Sequence, residues 1–324
     1  MKLRNQLLAL FCLLVFIAFG VVIFKTWVVE KPFGIILFLS DGLDTHTLAA
    51  ARLYEGGAEG RLAIDRFRHL ALVSSEANDY AIPDTAAAVT AIATGERVDQ
   101  RALGIDPKGR FLPSLLALAR EAGRATGLVT TGKLTDPAMA AFYAHVKDAR
   151  DTATIAEQFV NDANVDLALG GGMADFTPES KGGRRTDGRD LWLELRSKGY
   201  QLIRNKAELE NTPVFLAGPL VGVFSDTHLA FSHQKESGSQ QPTLSDMVQR
   251  AIEFLQTNRN GYLLVVDCAL IAEAARQNHG EETLRETVAF DQALKTAMRY
   301  AGEKTLIVAV GKQNLGGLQL NGYP

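Results

Sequence analysis

Apolar runs of strand length recur along the chain, and several are followed by a stretch with helical periodicity. The runs are Gly34 to Ser40, Leu70 to Ser74, Thr126 to Thr131, Val165 to Leu169, Leu220 to Phe224, Tyr262 to Val266 and Thr305 to Val310. They are continuously apolar rather than alternating, which is the pattern of parallel strands buried on both faces. Leu112 to Ala122, Asp151 to Asn161, Asp190 to Lys198, Leu244 to Gln256 and Thr283 to Ala301 read as helices. This alternation predicts an α/β fold with a doubly wound, mostly parallel central sheet and helices on both faces. Ser232 to Thr243, rich in Ser and Gln, reads as a loop. No internal repeat is visible and no boundary interrupts 33–324, which is expected to be one domain.

The N-terminus has a different character. Lys2 and Arg4 lie in a short n-region, 1–6, before Leu7 to Phe24, eighteen residues without a charge. A membrane span needs roughly 17–25 apolar residues, so 7–24 is expected to be a transmembrane signal anchor, with 25–32 as its tether. A cleaved signal peptide, with Ala18-Phe19-Gly20 as its processing site, is the rival reading. The anchor would place the folded domain on the periplasmic or extracellular side of an inner membrane, although Lys25 and Lys31 weaken the charge asymmetry.

Composition narrows the function classes. The hydrophobic set makes up 47% and charged residues 22%, an ordinary globular balance. A net charge of −3 gives no electrostatic case for nucleic acid, and the basic run Lys181 to Arg185 reads as a solvated loop. The two cysteines, Cys12 and Cys268, form no disulfide framework, and Cys268 reads as a buried apolar thiol. No protein partner can be named from these features.

In an open α/β sheet, ligands bind beyond the carboxyl ends of the strands. Asp41 follows the first strand of the domain, Asp136 follows the strand ending at Thr131, and Asp267 directly follows Val266. Three carboxylates are thus expected on one rim. Thr85 opens the helical stretch Thr85 to Thr94, and a hydroxyl among the free N–H groups of a helix start favours a bound phosphate. Read alone, Asp84-Thr85 is a cap.

Together these residues resemble the alkaline phosphatase family. The motifs are Ile36-Leu37-Phe38-Leu39-Ser40-Asp41-Gly42, Pro83-Asp84-Thr85-Ala86-Ala87, and the segment from Thr126 through Asp136 to Val146. Leu169-Gly170-Gly171-Gly172, Arg285 to Asp291 and Gly316 to Pro324 follow in the family's order. The resemblance implies a phosphatase fold in which two zinc ions and a magnesium ion hold phosphate and a hydroxyl forms a covalent phosphoryl intermediate. It implies Thr85 at the nucleophile position, Asp41 as a carboxylate shared between metals, and Asp136 and Asp267 as magnesium-type ligands. It also implies Arg150 as the phosphate clamp, in an uncertain register. The family's magnesium-binding threonine is replaced by Ala138.

The zinc ligands depart from the pattern. Ala272 and Arg276 stand where the family has an Asp and a His, and Gly311 and Lys312 replace its later Asp-His pair. The final histidine ligand is expected beyond Pro324, so 33–324 is read as lacking the family's C-terminal part. Zinc is therefore not expected, and one Mg2+ or similar hard cation on Asp41, Asp136 and Asp267 is the remaining metal expectation. The resulting expectation is a membrane-anchored homologue with degenerate zinc sites, inactive or very weak as a phosphatase, acting by binding or scaffolding. The alternative is an active phosphomonoester hydrolase using Thr85 and a reduced Mg-type site. Arg276 and Lys312 are expected to point toward Asp41, Asp84 and Asp267 and to relieve carboxylate repulsion there.

Overall fold

The computed structural model describes residues 2–27, 33–74, 76–215, 218–235 and 239–320. The chain divides into two units, Met1–Pro32 and Phe33–Pro324. The first contains a single helix, Lys2–Trp27, on which Leu7, Phe11, Phe16 and Phe19 are exposed. Among the described residues no helix is long and apolar enough to cross a membrane. The side chains of 21–24, which complete the span expected from sequence, and tether residues 28–32 lie outside the described residues.

The second unit is built on one sheet. Its strands are β1 (Gly34–Ser40), β2 (Ala125–Lys133), β3 (Leu167–Gly171), β4 (Gln201–Ile203), β5 (Leu220–Val223), β6 (Tyr262–Asp267) and β7 (Thr305–Gly311). Their order across the sheet is β4-β5-β3-β2-β6-β1-β7, and every pairing is parallel. Successive residues of β1 enter opposite cores: Leu37 and Leu39 pack on one face, Ile36 and Phe38 on the other. That double burial is why β1, β2 and β6 read as unbroken apolar runs, since neither face meets water.

The five helices expected from sequence form: Leu115–Glu121, Thr152–Gln158, Leu191–Ser197 and Leu244–Leu255 within the expected stretches, and Gly280–Tyr300 starting ahead of its own. Side chains of Ser114, Asp151, Asp190 and Thr243 cap the first four, accepting first-turn N–H groups. The segment Ser232 to Thr243 is mostly loop, opening with the short 3-10 turn Ser232–Gln234; residues 236–238 are not described.

Two readings need correction. Leu70 to Ser74 is not a strand: among the described residues it pairs with no other segment, and Leu70 and Leu72 are 97% and 100% exposed. Its apolar composition suits a strand, but a strand also needs a neighbouring ladder, which this segment does not find. The basic run ending at Arg185 is not wholly a solvated loop either. Arg185 is 3% exposed, with its guanidinium on the Asp187 carboxylate and the Ala153 carbonyl.

Candidate active site

Strands β2, β6, β1 and β7 are neighbours, so their carboxyl ends form one continuous rim. Register sets Leu39 and Thr130 on either side of Asp267, and Ser40 beside Gly311. The Lys312 N–H donates to the Ser40 carbonyl at 2.9 Å, which fixes where that side chain leaves the edge strand. Asp41, Asp267 and Lys312 therefore meet as a consequence of sheet register.

Lys312 is 3% exposed. Its Nζ donates to Asp267 Oδ1 at 2.7 Å and lies 3.7 Å from Asp41 Oδ2. Burial opposes its charge, but the Asp267 and Asp41 carboxylates prevail and lift the ammonium above the ordinary lysine range. The same burial pushes the Asp267 carboxyl up, with Lys312 pulling against it. Asp267 Oδ2 accepts from Thr130 Oγ1 at 3.2 Å.

Asp41 lies deep in the rim. Its Oδ2 accepts from Thr85 Oγ1 at 2.9 Å and stands 4.0 Å from an Arg276 guanidinium nitrogen. Its Oδ1 is buried and has no hydrogen-bond partner among the described residues. Thr85 is the first residue of the helix Thr85–Thr94, whose dipole presents its positive end here. Asp84 does not join the cluster. It caps that helix by accepting from Ala87 N at 2.9 Å, and it accepts from Arg101 N at 2.8 Å.

A cavity of about 260 Å³ opens on this rim, and Asp41, Thr85, Asp136, His228, Arg276 and Lys312 line it. Ala138 and Ala272 complete part of its wall, small and apolar where the resemblance places ligands. His228 escaped the sequence reading. It is an isolated histidine in the loop after β5, and the only signal was its place just past the carboxyl end of a strand. Its Nε2 is 3.0 Å from Asp136 Oδ2, and its Nδ1 is 4.0 Å from Glu273. The hydrogen bond to Asp136 raises the imidazole against its own burial. Burial alone would raise the Asp136 carboxyl, but His228 and Lys133 hold it below the usual carboxylate range.

Arg150 is elsewhere. Its guanidinium is exposed and bound to Asp148 in its own loop, and it does not line the cavity. His145 is also remote, stacked on Phe111 with Nε2 3.3 Å from the Leu112 carbonyl oxygen. Cys268 is fully buried, and burial raises its thiol far above the usual range, so it is no nucleophile.

These residues do not fit a pair of zinc ions. Zinc takes three or four N, S or O donors at tetrahedral positions. Among the described residues no three His, Cys, Asp or Glu side chains are grouped to hold a metal ion. Asp41, Asp136 and Asp267 do share one rim, yet a hard cation there would compete with resident charges. Lys312 stands between Asp41 and Asp267, and His228 and Lys133 hold Asp136.

The alkaline phosphatase family matches residues 34–323. The chain is similar to alkaline phosphatase 4 of Bacillus subtilis (strain 168), 30% identical over 89% of this chain and 62% of that protein. It is also 30% identical to the alkaline phosphatase of Escherichia coli (strain K12), over 86% of this chain and 69% of the relative. A membrane-bound alkaline phosphatase of Bombyx mori is 28% identical over 90% of this chain and 61% of its own length. Among solved structures, Thermus thermophilus alkaline phosphatase superposes with a TM-score of 0.81 at 30% identity, covering 88% of this chain and 60% of that one. The chain thus spans about three fifths of the Bacillus and Thermus proteins. Relatives named as phosphatases at this identity overturn the expectation of an inactive homologue.

Proposed function

The chain belongs to the alkaline phosphatase family, and from that premise we propose that it hydrolyses phosphoric monoesters with Thr85 as nucleophile. The observation that carries the proposal is the Thr85 hydroxyl, hydrogen-bonded at 2.9 Å to the Asp41 carboxylate inside a cavity that also presents Arg276 and Lys312. Thr85 Oγ1 attacks phosphorus and passes its proton to Asp41 Oδ2 as the new P–O bond forms. The ester P–O bond breaks, and the alcohol oxygen leaves with its electron pair and takes a proton from water in the open cavity. Water then attacks the phosphothreonine, phosphate departs, and Thr85 recovers its proton from Asp41. Arg276 and Lys312 supply positive charge where negative charge accumulates on the transferring group. The test is turnover of 4-nitrophenyl phosphate by the full chain. Thr85→Ala is expected to lower kcat/KM at least about a thousandfold, and Thr85→Ser to retain activity. Wild-type protein without turnover, or Thr85→Ala protein with undiminished turnover, would refute the assignment.

The helix Lys2–Trp27 is proposed as a membrane anchor that leaves the catalytic unit on the periplasmic or extracellular side. The uncharged run 7–24 and the family's inclusion of a membrane-bound relative support it. The full chain should stay with membranes through an alkaline carbonate wash, and external protease should reach the catalytic unit. Release by the wash would remove the anchor from consideration.

A further inference from the structure

We propose that Lys312 and Arg276 act as built-in cations that hold a phosphate dianion beside Thr85, so that the site binds phosphate without a bound metal ion. This deepens the phosphomonoesterase reading and rests on it. Lys312 is not a drifted surface charge. Its side chain is 2% exposed, reaches inward from the end of β7, and touches both Asp267 and Asp41. A buried ammonium survives only when paired, and this one stands between two carboxylates, easing their repulsion for each other and for an incoming anion. Lys312 lines the cavity while Asp267 does not, and the second cationic charge on that wall is that of Arg276. Its guanidinium is half exposed on the cavity wall, and its only ion-pair contact among the described residues is Asp41 at 4.0 Å, longer than a hydrogen bond. A planar guanidinium with unspent donors is suited to two oxygens of one phosphate.

Ala138, Ala272 and the absence of a His, Cys, Asp or Glu triad among the described residues belong to the same arrangement. At positions 138, 272, 276 and 312 of the cavity wall, small apolar side chains and fixed cations stand in place of metal donors. Both cations are covalently part of the chain, so phosphate affinity should not follow metal supply.

The experiment is calorimetric titration of the full chain with inorganic phosphate, first in excess EDTA and then with zinc or magnesium added. The expected result is binding in EDTA, changed less than about twofold by either metal. Arg276→Gln should weaken it about tenfold or more through the loss of charge-assisted hydrogen bonds. Because Lys312→Met alone endangers the fold, the charge-balanced pair Lys312→Met with Asp267→Asn is the second variant. It should melt cooperatively and bind phosphate about tenfold more weakly or worse. Binding seen only after metal addition, binding unaffected by both variants, or no binding in any buffer would each overturn the proposal. Metal-dependent binding with Thr85-dependent turnover would sink this inference and leave the phosphatase assignment standing. Binding in EDTA without such turnover would do the reverse.

Discussion

Replacing Lys312 with methionine is expected to lower folding stability by about 3–5 kcal/mol, the usual cost of removing one partner of a buried ion pair. The cost comes from what stays behind. Asp267 is 0% exposed and Asp41 3%, and both would face each other with only the half-exposed Arg276 guanidinium, 4.0 Å from Asp41, as a counter-charge among the described residues. Methionine fills the volume but offers no donor to Asp267 Oδ1. The loss should depend on pH with a definite sign. Burial already raises the Asp267 carboxyl, and without Lys312 the chief pull against that push is gone, leaving only the Thr130 hydroxyl bonded to it. A carboxyl whose folded pKa lies above its unfolded value favours folding when protonated, and that contribution is lost as pH rises through the folded pKa. The variant should therefore be closest to wild type at acid pH and furthest from it at neutral pH. Asp267→Asn in the same chain should restore much of the difference, because the two effects are coupled. Arg110→Glu, which breaks a surface pair with Asp106 at a side chain 74% exposed, should cost no more than about 1 kcal/mol. Urea titrations at two pH values read all four proteins. A Lys312→Met loss no larger than that of Arg110→Glu would mean that the buried pair is energetically idle.

The sheet was legible where burial on both faces left the residues no alternative. The central strands β1, β2 and β6 needed only their apolar runs, and the carboxylates at their ends followed from topology, as did Thr85 from its place at a helix start. What stayed hidden was set by contacts distant in sequence. Gln201–Ile203 is too short to announce itself as a strand and exists by pairing with β5. Leu70 to Ser74 has the composition of a strand and lacks only a neighbour, which no local pattern can reveal. His228 reaches the site because the loop after β5 returns toward β2, where the Leu229 N–H donates to the Thr131 carbonyl at 2.9 Å. Arg150 shows the opposite failure. Its motif placed it at the phosphate, yet Asp148 two residues earlier captures the guanidinium in its own loop. The inward direction of Lys312 was foreseen from the resemblance, but its pairing with Asp267 rather than Asp84 depended on Asp84 being needed as a helix cap.

Putting the family's residues back should not put zinc back. The double change Gly311→Asp with Lys312→His restores the pair that the resemblance places here, and its expected result is a loss of fold. Gly311 lies beside Ser40 in the β1–β7 register, and a Cβ built on it would collide with the backbone carbonyl of Leu43. The collision has little room to relax, since the Lys312 N–H to Ser40 carbonyl bond holds the strand in place. Overpacking of this kind costs about 1–3 kcal/mol. Removing the Lys312 ammonium adds the cost of about 3–5 kcal/mol argued above. Together these approach the whole stability of a typical domain, about 5–15 kcal/mol. Gly311→Ala isolates the backbone collision from the loss of charge, and should by itself lower the melting temperature. Zinc content by mass spectrometry and a thermal melt decide the outcome. A double variant that melts like wild type and carries one zinc per chain would show that the ligand positions were merely vacated, with the surrounding backbone still shaped for the metal.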